Sequence, residues 1–204
     1  MLPITRWKLS ETKEEIQALF VKEFKLSPIV AQILINRQIT DLETANRYLN
    51  SSLHDLHSPY LMKDMKQGVE RLIRAVQGGE KLAVYGDYDA DGITSLACLY
   101  RFLQGIHDRV MYYIPDRVDE GYSLNRTAID RLKAQDVSLI VTVDCGVSDR
   151  EEIDYARSLG IDTIVLDHHE VPPAFPRASA VINPNRSDCS FPFKHLAGVG
   201  IVFN

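Results

Sequence analysis

Apolar residues follow two different rhythms along the chain. Up to about residue 80 they recur every three or four positions, the helical period. Ile16, Leu19, Phe20 and Phe24 fall on one side of a predicted helix that Ser10 is placed to cap. Ser27-Pro28 supplies an N-cap and a proline at the first helical position, ahead of IVAQILINRQ, a mostly apolar helix expected to be buried. Thr40 is expected to cap DLETANRYL, with Glu43 completing a capping box. Residues 63–77 carry Met65, Val69, Leu72, Ile73 and Val76 at helical spacing, and Gly78-Gly79 ends that helix.

After Lys81 the rhythm changes. LAVYG, RVMYYIP, VSLIVTVD and IDTIVLD are short apolar runs rich in β-branched and aromatic residues. Between them lie ITSLACLYRFLQG, NRTAIDRLKAQ with Asn125 as cap, and SDREEIDYARSLG with Ser148 as cap and Glu151 three residues on. Strands alternating with helices predict βαβ units and a parallel sheet covered on both faces. The expected architecture is therefore α/β, a doubly wound parallel sheet over 81–204, preceded by a helical amino-terminal region over 1–80. No internal repeat or low-complexity tract interrupts it.

Composition narrows the class. The chain has 204 residues, 45% hydrophobic and 25% charged, ordinary for a soluble globular protein. It has no apolar stretch of about 18 residues, and its first residues, MLPITRWKLSETKEEIQ, have no apolar core of the secretory kind. A cytoplasmic protein with no membrane association is expected. Cys98, Cys145 and Cys189 form no C-x-x-C pair and are expected to be reduced thiols. Net charge is −5, which argues against a generic nucleic-acid coat. The acidity is uneven: residues 1–80 hold 11 basic and 10 acidic groups, residues 81–204 hold 12 and 18.

The excess acid collects where strands end. LAVYG runs into Asp87, Asp89 and Asp91; LIVTV runs into Asp144; TIVL runs into Asp167-His168-His169. Ligands of open α/β sheets bind beyond the carboxyl ends of the strands, so parallel neighbours would bring all three clusters to one rim. Each alone has a plain alternative: a solvated Asp/Gly turn, a helix N-cap, a surface histidine pair. The joint occurrence favours a site. An EF-hand is excluded, because the twelfth position counted from Asp87 is Cys98, not glutamate, and a strand leads in. Mixed carboxylate and imidazole ligands favour manganese, iron or zinc. Several carboxylates exceed what one cation neutralises, so two ions sharing a bridging carboxylate are expected, an arrangement suited to phosphoryl transfer. A histidine beside the ligand histidine would contact the phosphate or protonate the leaving group. The residues by themselves point no further than a divalent-metal phosphohydrolase.

VYGDYDADG, VTVDCG and VLDHHE resemble, in order and spacing, the first three motifs of the DHH phosphoesterase superfamily. Within it, SPIVAQILINRQI, VYGDYDADGITS, IPDRVDEGYSLN and FPFKHLAGVGIVF are similar to the RecJ family of bacterial 5′-to-3′ exonucleases specific for single-stranded DNA. The resemblance covers nearly the whole chain. It implies Asp89, Asp91 and His168 as metal ligands, Asp87 in or near the metal shell, Asp144 as the bridging ligand and a catalytic residue, and His169 as the catalytic histidine facing the scissile phosphate. It implies that Asp167 orients the histidines. It further implies Mn2+ (or Mg2+), with two ions, single-stranded DNA as substrate, a helicase and single-strand-binding protein as partners, and a role in recombination and repair.

Two features depart from the superfamily pattern. Tyr85 stands where many members carry a metal-binding histidine. The fourth-motif aspartate, the DHH-associated domain and the OB-fold of a full RecJ do not appear before Asn204. The expectation is an amino-terminal fragment, weakly active or inactive alone. Rival assignments are a DHH phosphoesterase acting on oligoribonucleotides, cyclic dinucleotides or pyrophosphate, and a non-catalytic DNA-binding relative. The helical preface speaks against the first, the intact Asp89, Asp91, Asp144, His168 and His169 against the second. EGYSLN is open between a turn with Asn125 as helix cap and substrate contact by Tyr122, Ser123 or Asn125, with Arg117 and Arg126 flanking to meet a nucleic-acid backbone. Gly198-Val199-Gly200 lacks the third glycine of a dinucleotide fingerprint and is expected to pack a helix start. Trp7 is expected to be a packing residue.

Overall fold

The computed structural model describes residues 10–204; Trp7 lies outside them. The chain forms two compact units, Met1–Leu56 and His57–Asn204. In the first, α1 (Glu14–Phe24), α2 (Pro28–Asn36) and α3 (Leu42–Leu49) close on Phe20, Ala31, Leu34, Ile35, Ile39 and Ala45. Helix α1 starts behind Lys13 with no side-chain cap, not behind Ser10; Glu14 and Glu15 in its first turn complement the helix dipole instead. Ser27 caps α2, accepting from the Val30 N–H at 3.3 Å. Only one side of α2 is buried, and Ile29 is exposed. Asp41, not Thr40, caps α3, its carboxylate accepting from the Thr44 N–H at 2.8 Å; an ionised acceptor makes the stronger bond.

The second unit holds α4 (Met65–Gln77), β1 (Leu82–Gly86), α5 (Ala90–Gln104), β2 (Val110–Tyr113), α6 (Arg126–Lys133), β3 (Leu139–Val143), α7 (Arg150–Ser158), β4 (Asp162–Leu166), β5 (Ala180–Ile182) and α8 (Gly198–Phe203). The strands form one sheet in the order β2-β1-β3-β4-β5, and every pair is parallel. Strand residues alternate between two cores. Leu82, Val84, Leu139, Val141, Val143, Ile164 and Ile182 pack with α4, α5 and α8. Ala83, Tyr85, Ile140, Val165 and Val181 pack with α6 and α7. The sheet is doubly wound, as the alternation of strand and helix patterns predicts.

Helix α4 packs within the sheet unit, the compact unit that starts at His57. Its Met65 and Ala75 lie in the core with β1 and β3, and Arg71 Nε donates to Asp162 Oδ2 of β4 at 2.6 Å. β5 has no counterpart in the sequence reading, because a three-residue strand is too short to show a period. Asp149, not Ser148, is the residue before α7; its carboxylate accepts from the Ser123 hydroxyl and the Leu124 N–H.

Candidate metal centre

The strand order reverses direction between β1 and β3, the point where open α/β sheets present a crevice at their carboxyl ends. Asp87 leaves β1 there and Asp144 leaves β3. Asp89 is the N-cap of α5, its Oδ1 accepting from the N–H groups of Asp91 and Gly92 at 2.9 Å each. Helix α5 thus begins at Ala90 rather than at Ile93, which puts Asp91 on its first turn. Gly92 lets that turn close: a Cβ there would stand 2.5 Å from the Asp87 carbonyl oxygen.

Asp144 sits in the left-handed region at φ 61°, a conformation that aspartate tolerates better than most residues and that concentrates at functional sites. Its backbone N–H extends the β3–β4 ladder to the Leu166 carbonyl at 2.8 Å. Its side chain is buried, and among the described residues Oδ1 has no hydrogen-bond partner. His168 Nε2 lies 3.0 Å from that oxygen and 3.6 Å from Asp91 Oδ2. The 3.0 Å approach lacks hydrogen-bond geometry, and among the described residues Asp144 Oδ1 finds no other partner.

Two sets of donors meet at Asp144. In one, Asp144, His168 and His169 each offer a ligand atom within 4.8 Å of the others; in the second, Asp87, Asp89 and Asp144 do the same. Asp91 stands outside both, because its oxygens accept from the N–H groups of Gly198 at 2.6 Å and Val199 at 2.9 Å. Asp167 is also apart. It is buried, and accepts from the Val147 N–H at 2.9 Å, the His169 N–H at 3.0 Å and His169 Nδ1 at 2.7 Å.

Electrostatics follow the burial. Burial first, and the neighbouring Asp91 charge second, push Asp144 up to about 7. Burial also raises Asp87. The hydrogen bond with Asp167 raises His169 to about 9, against the effect of burial. Burial works to raise Asp167, but the bonds it accepts from His169 and Val147 hold it below the usual carboxylate range. A shared cation would reverse the penalty on Asp144 and Asp87 by favouring their charged forms.

The substrate candidates separate. Tyr122 Oη lies 3.5 Å from His169 Nε2. Tyr88, between Asp87 and Asp89, meets the Tyr122 ring edge-on at 6.4 Å and has the Arg117 guanidinium over it at 5.4 Å. Arg117 and Tyr122 therefore border the centre. Ser123 and Asn125 are bonded to other groups. The Ser123 hydroxyl donates to the Asp149 carboxylate, and Asn125 caps α6 through the Ala128 N–H at 2.8 Å. Arg126 lies over the Tyr155 ring at 5.1 Å. Tyr85 is buried away from the rim, its hydroxyl donating to the Ser123 carbonyl at 2.8 Å and its ring stacked on Tyr113.

The DHH family, N-terminal domain, matches residues 81–204. The chain belongs to the DHH family. The single-stranded-DNA-specific exonuclease RecJ of Bacillus subtilis (strain 168) is 38% identical over 198 residues, which is 97% of this chain and 25% of that protein. This chain thus spans about a quarter of the length of that relative. A crystal structure of exonuclease RecJ bound to manganese superposes with a TM-score of 0.65 at 29% identity, over 72% of this chain and 37% of the other. RecJ from Thermus thermophilus in complex with Mn2+ gives a TM-score of 0.70 at 25% identity, over 96% of this chain and 27% of the other.

The DHH rim also contains groups that the motifs do not announce. The N–H groups of Gly198 and Val199 hold Asp91, so the segment that reads as helix packing also fixes an acidic group. Asn183 donates to the His169 carbonyl at 3.0 Å, and Asn185 donates to that of His168. A signal was present in Asn183-Pro184-Asn185, a polar run directly behind the apolar AVI.

Proposed function

We propose that this chain carries the catalytic centre of a metal-dependent exonuclease that hydrolyses phosphodiester bonds of single-stranded DNA from the 5′ end, with Mn2+ or Mg2+ as a pair of ions. What supports it most is Asp144, a buried carboxylate with an unpartnered oxygen that belongs to both donor sets. Isolated buried charge of this kind is unfavourable unless paired or bound to metal. The donor chemistry fits: carboxylates with imidazole suit manganese, and carboxylates alone suit magnesium. Asp87, Asp89 and Asp144 would hold one ion; Asp144 and His168 would hold the other, with His169 at its edge. Bound there, the ions supply an acidified water and neutralise charge on the phosphate.

The protein's own contribution is orientation and proton placement. Asp167 fixes the His169 ring through Nδ1, leaving Nε2 directed outward beside the Tyr122 hydroxyl. A protonated His169 would donate from Nε2 to a phosphate oxygen or to the leaving oxygen. Arg117 and the Tyr88 and Tyr122 rings offer a cation and π-faces to a single strand, whose bases stack on aromatics without sequence preference. The 5′ polarity, the strand preference and the role in recombination and repair come from similarity to RecJ alone.

Mn2+-dependent release of nucleotides from 5′-labelled single-stranded DNA by the protein, with Asp144→Asn alongside, tests the proposal. Loss of activity by roughly a hundredfold or more is expected, as for removal of a central electrostatic group. A rate close to that of the unsubstituted protein would overturn it.

A further inference from the structure

Chain geometry leaves the paired histidines without a regular backbone. β4 ends at Leu166, and the Asp167 N–H makes the last ladder bond to the Ile182 carbonyl at 3.1 Å. His168 and His169 lie beyond it, where no sheet or helix bond fixes them. The two rings are then treated differently. The His169 ring is fixed by Asp167. Among the described residues no hydrogen bond reaches either nitrogen of the His168 ring, although its Nε2 stands 3.0 Å from Asp144. Histidines that bind metal usually donate their second N–H to a carboxylate or carbonyl, which sets the ring. His168 lacks that partner among the described residues, so its aim depends on its main chain.

Besides the bond from the His169 N–H to Asp167, that main chain is held through its carbonyl groups. Asn183 is fully buried at the end of β5; its Nδ2 donates to the His169 carbonyl at 3.0 Å, and its Oδ1 accepts from the Asn185 N–H at 2.8 Å. Asn185 Nδ2 donates in turn to the His168 carbonyl. Pro184 between them removes a backbone donor and fixes φ, which stiffens the clamp. The base is anchored as well: the buried Arg186 donates to the Val181 carbonyl of β5 and to Asp64 at 2.6 Å each, and pairs with Asp188.

We infer that Asn183 and Asn185 are positioning residues that aim His168 at the Asp144 site by holding the carbonyl groups of both histidines. This rests on the metal-centre proposal and adds to it the element that sets the one ligand lacking a ring partner. Asn185 is the informative position, because it is exposed and its amide does nothing for the core.

Mn2+ binding to the 204-residue chain, followed by electron paramagnetic resonance of the free ion, tests this without turnover. Asn185→Ala is expected to weaken Mn2+ by roughly 10–100-fold, the usual cost of losing a group that orients a metal ligand. Its melting midpoint in EDTA should match that of the unsubstituted chain. Ser187→Ala, on the same segment but without a bond to the histidines, should bind as the unsubstituted chain does. Unchanged Mn2+ affinity in Asn185→Ala would overturn the inference and leave the metal centre standing. So would an equal loss in Ser187→Ala, or a loss matched by a lowered midpoint in EDTA. No Mn2+ binding by the unsubstituted chain would overturn the metal centre itself.

Discussion

Gly198 stands directly against Asp144: a Cβ on Gly198 would lie 2.7 Å from Asp144 Oδ1 and 2.9 Å from its Cβ. The same glycine donates its N–H to Asp91 Oδ2 at 2.6 Å. One position without a side chain therefore lets α8 approach two acidic groups that are distant in sequence. Gly198→Ala would force the buried carboxylate aside, although alanine is the better helix former. The expected result is a drop in Mn2+ affinity of roughly tenfold or more, comparable to other losses of ligand orientation. Titration of the variant against the unsubstituted chain checks it.

Asp144 carries an opposition between stability and function. Its carboxylate is buried with one oxygen unpartnered, an arrangement that costs folding energy when no cation is present. Asp144→Asn should abolish metal binding yet raise the melting midpoint in EDTA at about pH 8. A gain of about 1 kcal/mol corresponds to roughly 2–4 °C for a chain of this size. Differential scanning calorimetry with and without Mn2+ reads both effects.

The metal-free chain should lose stability as the medium becomes alkaline. Asp144 is raised from 3.8 to about 7 in the fold, so the stabilisation of its protonated form is lost as pH rises through about 7. His169 is raised from 6.5 to about 9, so its contribution is full below 6.5 and is lost as pH rises through about 9. Both act in the same direction. The melting midpoint in EDTA should fall between about pH 6 and pH 9, and saturating Mn2+ should flatten or reverse the slope, because a cation favours the charged carboxylate. A midpoint that rises over this range in EDTA would contradict the assignment.

At the opposite end of the sheet, Arg71 ties α4 to β4. Its guanidinium is buried, meets Glu80 at 2.8 Å and 3.0 Å, and meets Asp162 at 2.6 Å. Breaking a buried pair costs about 3–5 kcal/mol. Asp162 is half exposed, so Arg71→Ala should fall at the lower end. Urea denaturation should show a lower midpoint with Mn2+ affinity unchanged, since no metal-centre residue touches this network.

Particular residues show which local rules held. Ser27 and Asn125 cap helices where the sequence places them, because a short polar side chain ahead of an apolar period satisfies the first N–H groups through local geometry alone. Ser10, Thr40 and Ser148 do not cap. Lys13, Asp41 and Asp149 precede those helices, and Asp149 is spent on Ser123 and Leu124 instead. Two equivalent candidates side by side cannot be ranked without knowing what else each can bond. Ser123 and Asn125 read equally well as turn chemistry or as substrate contacts. The Asp149 carboxylate and the Tyr85 hydroxyl, neither of them near in sequence, bond to them.

The strand–helix alternation, and the acids and imidazoles at three strand ends, are legible in the order of residues, since both are local properties of period and spacing. It took the folded arrangement to make Asp144 common to both donor sets, to hold Asp91 at the start of α8, and to bring Asn183 and Asn185 onto the histidine carbonyls. Each of those is a contact of a few ångströms between segments far apart in the chain. It is set by how the strands lie beside one another and how α8 crosses their ends, and no local pattern encodes such a distance.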